Sequence, residues 1–269
     1  MNNNLVLIKG AGDMASGTAH RLARCGYSIV MLDIEQPTVI RRTVSFAEAI
    51  YRNNYTVEEV TAELAAGVDR VRAVLDKGHI AVAVDPNWSL VNQLKPAVVI
   101  DAILAKKNLG TNINEAPVVI GLGPGFTAGI DVHGVIETKR GHNLGRVILT
   151  GAAEPNTGIP GIIGGSGEER VLRAPAAGLF NGQKEIGDQV CTGDLVALVE
   201  GIPLTATISG VLRGLLKSGL SVHKGMKVGD IDPRVERGHC FTISDKSRAV
   251  AGGALEALLY LSNQQRPEK

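Results

Sequence analysis

The order of apolar and polar positions along the first half of the chain predicts alternating strands and helices. Continuous apolar runs at residues 5–8 and 28–33 are typical of buried parallel strands. Between them, small and apolar residues recur at helical spacing over residues 12–25, and Gly26 ends that helix. Three further apolar runs are predicted as strands, at residues 80–84, 97–100 and 117–120. This alternation favours a parallel sheet covered by helices.

A longer helix is predicted over residues 56–75. The tetrapeptide from Thr56 to Glu59 matches a capping box, in which a threonine and a glutamate three residues later satisfy the first backbone donors of a helix. Apolar residues then follow at the spacing of one helix face: Val60, Leu64, Val68, Val71 and Leu75. We expect this helix to cover the sheet.

The pattern changes near residue 165, after the glycine-rich residues 159–167, which are predicted as a linker. The helical period ends there, and short β-branched runs alternate with glycines. Five positions recur in order after 32 residues: Gly178, Gly182, Gly187, Val190 and Gly193 match Gly210, Gly214, Gly219, Val222 and Gly225. Glycines in register mark equivalent turns, so we expect two similar β units, followed from residue 245 by a C-terminal helix.

The turn after the first strand has the pattern G-x-G-x-x-A. Gly10 suits a tight turn, Gly12 the close approach of a pyrophosphate, and Ala15 close packing of the helix on the strand. Asp33 ends the second strand, where an acid can meet a ribose hydroxyl. These residues predict a dinucleotide cradle. Asp13 opposes that interpretation unless it faces away from the phosphate, and a well-packed turn that binds nothing is the alternative.

Basic residues follow two of the predicted strands. Arg41 and Arg42 come after the second strand, and Lys106 and Lys107 come after the strand that ends at Asp101. Ligands of open α/β sheets bind beyond the carboxyl ends of the strands, so these four residues are candidate anion contacts. A solvated or ion-paired surface is the alternative for each pair.

A glycine-rich loop at residues 121–125 is a further candidate for anion binding. Its bare backbone amides, including those of Gly123 and Gly125, suit contact with a phosphate. The same loop is equally consistent with a tight crossover.

Metal and catalytic signals are weak. Asp131, His133, Glu137 and His142 are metal-ligating residue types, but their spacing matches no known metal motif, so no metal site is predicted. No nucleophile motif is present, and the catalytic residues stay unknown.

Charge and composition narrow the classes of partner. The chain has 28 Lys and Arg against 27 Asp and Glu, with 3% aromatic residues and 33 glycines. Because the charges nearly balance, the chain has no strong net electrostatic field that would attract it to nucleic acid or to a membrane. The scarcity of aromatic residues argues against a surface that stacks nucleic-acid bases. Three separated cysteines and no apolar stretch near the length of a membrane span lead us to expect a cytoplasmic protein.

Two resemblances extend this picture. The segments IGDQVCTGDLVALVE and SGLSVHKGMKVGDIDPR resemble the two halves of a biotinyl/lipoyl barrel sandwich, although the intervening turn EGIPLTA lacks the modified lysine. The resemblance implies a fold class of a Rossmann-like parallel-sheet domain at 1–165, a small all-β barrel-sandwich domain at 166–244, and a C-terminal helix and tail at 245–269.

The whole chain resembles the YqeB family of accessory proteins for selenium-dependent molybdenum hydroxylases. The likeness rests on KGAGDMASGTAHRL, PTVIRRTVSFAEAIY, GLGPGFTAGIDVHGVIET, RGHNLGRVI and KVGDIDPR. It implies a role in maturing the molybdenum cofactor of such a hydroxylase, with a hydroxylase or another maturation protein as partner. No set of catalytic residues comes with the resemblance.

Three hypotheses stay open from the sequence. The leading one is an accessory protein that binds a small nucleotide-containing ligand, with a molybdopterin-type dinucleotide or NAD(P) as candidates for a cofactor that is otherwise unknown. An NAD(P)-dependent oxidoreductase would need His133, His142 or Asp101 as its acid or base. The third is a non-catalytic scaffold that docks a hydroxylase.

Overall fold

The computed structural model describes residues 4–159 and 161–264, which divide into two compact units. The first unit comprises Met1–Glu35, Phe46–Asn156 and Ile243–Lys269, and the second comprises Gln36–Ser45 and Thr157–Thr242. This division differs from the boundaries expected at 1–165, 166–244 and 245–269. A short segment of the first half joins the second unit, and the C-terminal helix belongs to the first. Pro160 of the expected linker and the expected tail beyond Gln264 lie outside the described residues.

A nine-stranded mixed sheet forms the centre of the first unit. Its spatial order is β10-β9-β7-β6-β1-β2-β5-β4-β3. The strands are β1 (Leu5–Lys9), β2 (Ser28–Asp33), β3 (Asn54–Val57), β4 (Val60–Leu64), β5 (Ile80–Val84), β6 (Val98–Asp101), β7 (Val118–Leu122), β9 (Gly134–Ile136) and β10 (Val147–Ile148). Neighbours from β9 to β4 pair in parallel, whereas β10 and β3 pair antiparallel at the two edges. A separate two-stranded ladder joins β8 (Thr127–Ala128) to β11 (Gly151–Ala152).

Helices cover both faces of this sheet. They are α1 (Asp13–Arg24), α2 (Glu48–Arg52), α3 (Gly67–Leu75), α4 (Ser89–Leu94) and α5 (Asp245–Gln264). Leu5 and Leu7 share a core with Val71 and Val74 of α3. Because side chains alternate along a strand, Val6 and Ile8 point to the other face and are equally buried. The continuous apolar run of β1 therefore follows from burial on both faces.

The helix expected over residues 56–75 is wrong in its first half. Residues 54–64 form the antiparallel hairpin β3–β4, and only Gly67–Leu75 is helical. Four β-branched residues, Thr56, Val57, Val60 and Thr61, favour the strands. Glu58 and Glu59 form the turn between the paired residues Val57 and Val60, and do not cap a helix.

The second unit consists of antiparallel strands in two sheets. Their orders are β12-β19-β17-β14 and β16-β15-β13-β18. The strands are β12 (Val171–Arg173), β13 (Gly178–Gly182), β14 (Gln189–Val190), β15 (Leu195–Val199), β16 (Ile202–Thr205), β17 (Gly210–Leu215), β18 (Ser221–Val222) and β19 (Lys227–Asp232). The expected repeat is confirmed at the level of the strands, since β17, β18 and β19 begin 32 residues after β13, β14 and β15. Residues of both sheets share one apolar core, which includes Phe180, Val196 and Leu212.

The expected fold class is wrong. A Rossmann-like domain would have a parallel sheet, whereas this sheet is mixed, with an antiparallel strand at each edge. The expected C-terminal helix is present as α5, and it packs against α1, β7 and β9 of the first unit. Within the described residues, none of the helices has the length and apolar content that a bilayer crossing requires.

Candidate functional site

Strand ends of the first unit place several charged and glycine residues at one edge of the sheet. Strands β1, β2, β6 and β7 are parallel, so their carboxyl ends meet there. Lys9, Asp33 and Asp101 end the first three of these strands, and the loop of residues 123–125 follows β7. We call this region the carboxyl edge.

The turn between β1 and α1 is fixed by Gly10. Its φ is +93°, and an added Cβ would lie 3.2 Å from the carbonyl oxygen of Ala102. Its N–H donates to the carbonyl of Leu32 at 2.6 Å. Both the backbone conformation and the close approach to the neighbouring strand end therefore require glycine.

The first turn of α1 starts at Gly12 without a side-chain cap. Gly12 is the N-cap residue, with φ −66° and ψ 179°, and it makes no side-chain cap hydrogen bond to the first N–H groups of the helix. Ala15 is fully buried, as expected for close packing of helix on strand. Asp13 lies in the first turn and is half-buried.

Asp33 binds the backbone of the glycine turn itself. Its two carboxylate oxygens accept the N–H groups of Ala11 at 2.7 Å and Ile34 at 2.8 Å. Burial raises the pKa of this carboxyl above its usual range, while the two N–H donors act in the opposite direction. The Asp33 carboxylate therefore holds the glycine turn in place. This structural role does not require a ligand.

A buried lysine at the carboxyl edge was missed by the sequence analysis. Lys9 has no solvent exposure, and its Nζ contacts Thr111 Oγ1 at 2.7 Å and Glu115 Oε2 at 2.7 Å. The ammonium also lies 4.0 Å from the ring centroid of Trp88. Thr111 in turn donates to Asp101 at 2.7 Å. The signal was present in the sequence, as a lysine at the end of an apolar strand directly before the glycine turn.

Burial raises the pKa of the Asp101 carboxyl, and the hydrogen bond from Thr111 partly offsets that effect. Lys9, Thr111, Glu115 and Asp101 thus form one polar cluster beneath the carboxyl edge. The ammonium group of Lys9 contacts Thr111 and Glu115, both in the segment between β6 and β7. These contacts indicate that Lys9 has a structural role, which is to hold this segment in place.

The structure brings together two of the predicted anion-binding loops. An added Cβ at Gly125 would lie 2.8 Å from backbone atoms of Lys107, so the two loops touch. Lys106 and Lys107 are exposed, and Lys106 has a positive φ of 65°. Gly123 lies against Thr138, whose Oγ1 would be 2.6 Å from an added Cβ. These residues share the carboxyl edge with the glycine turn.

Arg41 and Arg42 are placed elsewhere, in the second unit. Arg41 is buried and donates to the carbonyl oxygens of His239 at 2.9 Å and Thr242 at 3.3 Å. Arg42 donates to the carbonyl of Leu215 at 2.8 Å. Both guanidinium groups hold backbone of the second unit.

The residues considered for metal or acid–base chemistry do not converge. His133 Nδ1 accepts the N–H of Val119 at 3.0 Å, and burial lowers the pKa of its imidazole. The Glu137 carboxylate accepts the N–H groups of Lys139 and Glu154, at 2.7 and 2.8 Å. Asp131 accepts the N–H of Thr127, while His142 is exposed.

The sequence comparison supports the expected membership of the YqeB family. No family model matches the sequence. The chain is 52% identical over 262 residues to "Uncharacterized protein YqeB" from Escherichia coli strain K12, which covers 97% of this chain. The match covers 48% of the relative, so the chain spans about half the length of the curated protein it matches.

Solved structures give only remote similarities. An aspartoacylase family protein from Mesorhizobium loti aligns with a TM-score of 0.25 and 11% identity, over 76% of this chain and 56% of its own. The ectoine utilization protein EutE (DoeB) from Ruegeria pomeroyi gives 0.27 and 11%, over 85% of each chain. A succinylglutamate desuccinylase from Silicibacter sp. TM1040 gives 0.26 and 14%, over 85% of this chain and 84% of its own.

These similarities carry no activity to the chain, because the TM-scores are low. The proteins found are aspartoacylase- and desuccinylase-type proteins. The expected classification as a Rossmann nucleotide-binding, barrel-sandwich protein is wrong, because the sheet is mixed. No comparison supports a link to selenium or molybdenum.

Proposed function

We propose that the first unit binds a small anionic ligand at the carboxyl edge and that the chain acts as an accessory protein. One observation carries the proposal: α1 begins at Gly12, beside a glycine turn at the strand ends, and this N-cap residue makes no side-chain hydrogen bond to the first turn. A helix N-terminus in this setting combines backbone donors with the positive end of the helix dipole.

Neighbouring groups define the charge of the proposed site. Lys107 and the glycine loop at residues 123–125 lie at the same edge and favour an anion. Asp13 opposes it, because its carboxylate lies in the first turn of the same helix. The site is proposed for a compact anion that the backbone donors and Lys107 together can neutralise, such as a phosphate ester or a pyrophosphate.

The proposed partner is a selenium-dependent molybdenum hydroxylase. This part rests on the resemblance of the whole chain to the YqeB family, whose curated relative is itself uncharacterized. The match covers about half of that relative, so the role of the whole relative is not carried over to this chain.

Hydride transfer is not favoured by the geometry. Of the three groups it would require, His133 uses Nδ1 to accept a backbone N–H. Asp101 accepts from Thr111 and Ile103. His142 is exposed on the surface. His133 and Asp101 thus have a structural explanation without a substrate.

The test compares three substitutions at Gly12, using calorimetry with inorganic pyrophosphate as the probe. The extended φ and ψ of Gly12 suit any residue. Aspartate and asparagine are strong N-caps and should occupy the N–H groups that the anion needs, whereas alanine should leave them available. We expect Gly12→Asp and Gly12→Asn to weaken binding at least about tenfold, the loss of roughly one charge-assisted hydrogen bond.

Gly12→Asp can weaken binding by capping the helix or by repelling the anion with its charge. Gly12→Asn separates these two causes, because asparagine caps the helix without adding a charge. Gly12→Ala adds a methyl group but no cap, so it should lose less affinity than the other two variants, and far-ultraviolet circular dichroism should show all three variants folded. Equal pyrophosphate binding by all four proteins, or no binding by any of them, would contradict the proposal.

A further inference from the structure

A histidine and two glutamates meet in the first unit, away from the carboxyl edge. His20 of α1 is 4% exposed, and its Nε2 is buried without a hydrogen-bond partner. Glu58 Oε2 lies 3.6 Å and Glu59 Oε2 3.8 Å from that nitrogen. The three ligand-type atoms all lie within 4.8 Å of one another. A buried, unsatisfied ring nitrogen facing two carboxylates requires an explanation.

The other oxygen of each carboxylate is already held by the protein. Glu58 Oε1 accepts the N–H of Ile243 at 3.0 Å and pairs with Arg248 at 2.7 Å. Glu59 Oε1 pairs with Arg24. Each carboxylate is thus oriented with Oε2 toward His20. Outer hydrogen bonds of this kind orient the ligands of metal sites.

We propose that His20, Glu58 and Glu59 bind a divalent first-row transition-metal ion. One imidazole nitrogen and two carboxylate oxygens make a three-ligand set that suits zinc, cobalt or manganese. Ligand atoms about 2.1 Å from a tetrahedral ion are about 3.4 Å apart. The observed separations of 3.6 and 3.8 Å come within a few tenths of an ångström of that value.

Solvent can reach this cluster. His20 lines a cavity of about 290 Å³, together with Gly17, Arg24 and Arg248. The side chain of Glu59 is 61% exposed, and that of Glu58 is 16% exposed. An ion can therefore reach the cluster from the side of the exposed Glu59. Three protein ligands with one open position are typical of zinc sites that also bind a small molecule.

Charge limits the strength of the proposed site. The two carboxylates are paired with two arginines, Arg24 and Arg248, which oppose the approach of a cation. Binding must therefore come from direct coordination, since the net charge around the cluster is near zero. For this reason we expect cobalt, zinc and manganese to bind and magnesium, which prefers oxygen ligands, to bind weakly.

Cobalt(II) is the most informative probe, because its visible spectrum reports the ligand atoms. The protein is treated with chelator and titrated with cobalt chloride, by absorbance and by calorimetry. We expect one equivalent to bind, with bands typical of nitrogen and oxygen ligands. Glu59→Gln should weaken cobalt binding at least about tenfold. The side chain of Glu59 is exposed, so this variant should fold like the unsubstituted protein. Glu256→Gln, on the exposed face of α5, is the matched control.

Cys25 lines the same cavity and provides the strongest alternative ligand. A sulfur-to-metal charge-transfer band, or binding that survives Glu59→Gln but is lost in Cys25→Ser, would overturn the proposal. Absence of cobalt binding in the unsubstituted protein would overturn it as well. The pyrophosphate titration is independent of these results, since it concerns the other site.

Discussion

At the scale of single residues, polar groups at strand ends are satisfied mainly by the adjacent turns. Asp33 accepts the N–H of Ala11, and Asp101 accepts the hydroxyl of Thr111. Both carboxyls have a raised pKa because burial disfavours their charge. Asp33 thus holds the glycine turn, whereas Asp101 holds the segment after β6.

His133 should make stability depend on pH. Its Nδ1 accepts the N–H of Val119, which requires a neutral ring, and burial lowers its pKa below the value of 6.5 typical of the unfolded chain. Its contribution is therefore complete above about pH 6.5, where both states are neutral. As the pH falls through that value, the unfolded chain takes up the proton first and the contribution is lost.

The variant His133→Asn tests this dependence. An asparagine oxygen can accept the same N–H but does not titrate. Urea unfolding gives the free energy of unfolding of both proteins. The amount by which this free energy is larger for the unsubstituted protein should decrease as the pH is lowered from about 7.5 to about 5.5. A difference in unfolding free energy that is constant over this range would show that the ring titrates alike in both states.

The position of the glycine turn could be predicted from sequence because its backbone chemistry is local. Gly10 and Gly12 lie in the turn before α1, and Asp33, at the end of β2, accepts the N–H of Ala11 in that turn. The sequence analysis missed Lys9, because the partners Thr111 and Glu115 are more than a hundred residues away. It grouped Arg41 and Arg42 with this turn, although both hold carbonyl groups of the second unit.

At the scale of elements, the hairpin β3–β4 shows why local signals mislead. Thr56 and Glu59 match a capping box, yet Thr56 pairs with Thr61 across the hairpin. The apolar spacing from Val60 to Leu75 fits one helix face, but β4 pairs with β5 and so takes the extended form. Pairing with a strand that is distant in sequence overrode the helical period. The same hairpin turn carries Glu58 and Glu59 to His20.

The stability of the protein should depend on the contacts that Lys9 makes with the segment between β6 and β7. In Lys9→Met, the Glu115 carboxylate, whose side chain is 15% exposed, would lose its counter-charge, and Thr111 would lose a donor. Breaking a buried ion pair by removing one partner costs about 3–5 kcal/mol. We expect a loss of this size in the free energy of unfolding, measured with urea. Lys107→Met, an exposed position in the same segment, should cost less than about 0.5 kcal/mol.

A second substitution distinguishes the ion pair from packing. If the loss comes from the unpaired carboxylate, Glu115→Leu added to Lys9→Met should recover part of it, because both charges are then removed. A double variant that is less stable than Lys9→Met alone, or a single variant that costs under about 1 kcal/mol, would contradict this role.

At the scale of the whole molecule, the unit boundaries could not be deduced from periodicity. The segment Gln36–Ser45 joins the second unit because Ile40 accepts the N–H of Leu215 at 2.7 Å and packs on that unit's core. The helix α5 joins the first unit through α1, β7 and β9. Such contacts between distant segments leave no local pattern. The strands β1, β2, β5, β6 and β7, the helix α1 and the internal repeat were predictable because they depend on local patterns.

The central claim is that an anion binds at the first turn of α1, and backbone amide shifts test it most directly. Inorganic pyrophosphate is titrated into isotopically labelled protein, and the amide signals are followed by nuclear magnetic resonance. We expect the largest changes in amide chemical shift at Gly12, Asp13 and Met14, with smaller changes at residues 123–125. Shifts confined to other surfaces, or no saturable shift in the first turn of α1, would contradict it.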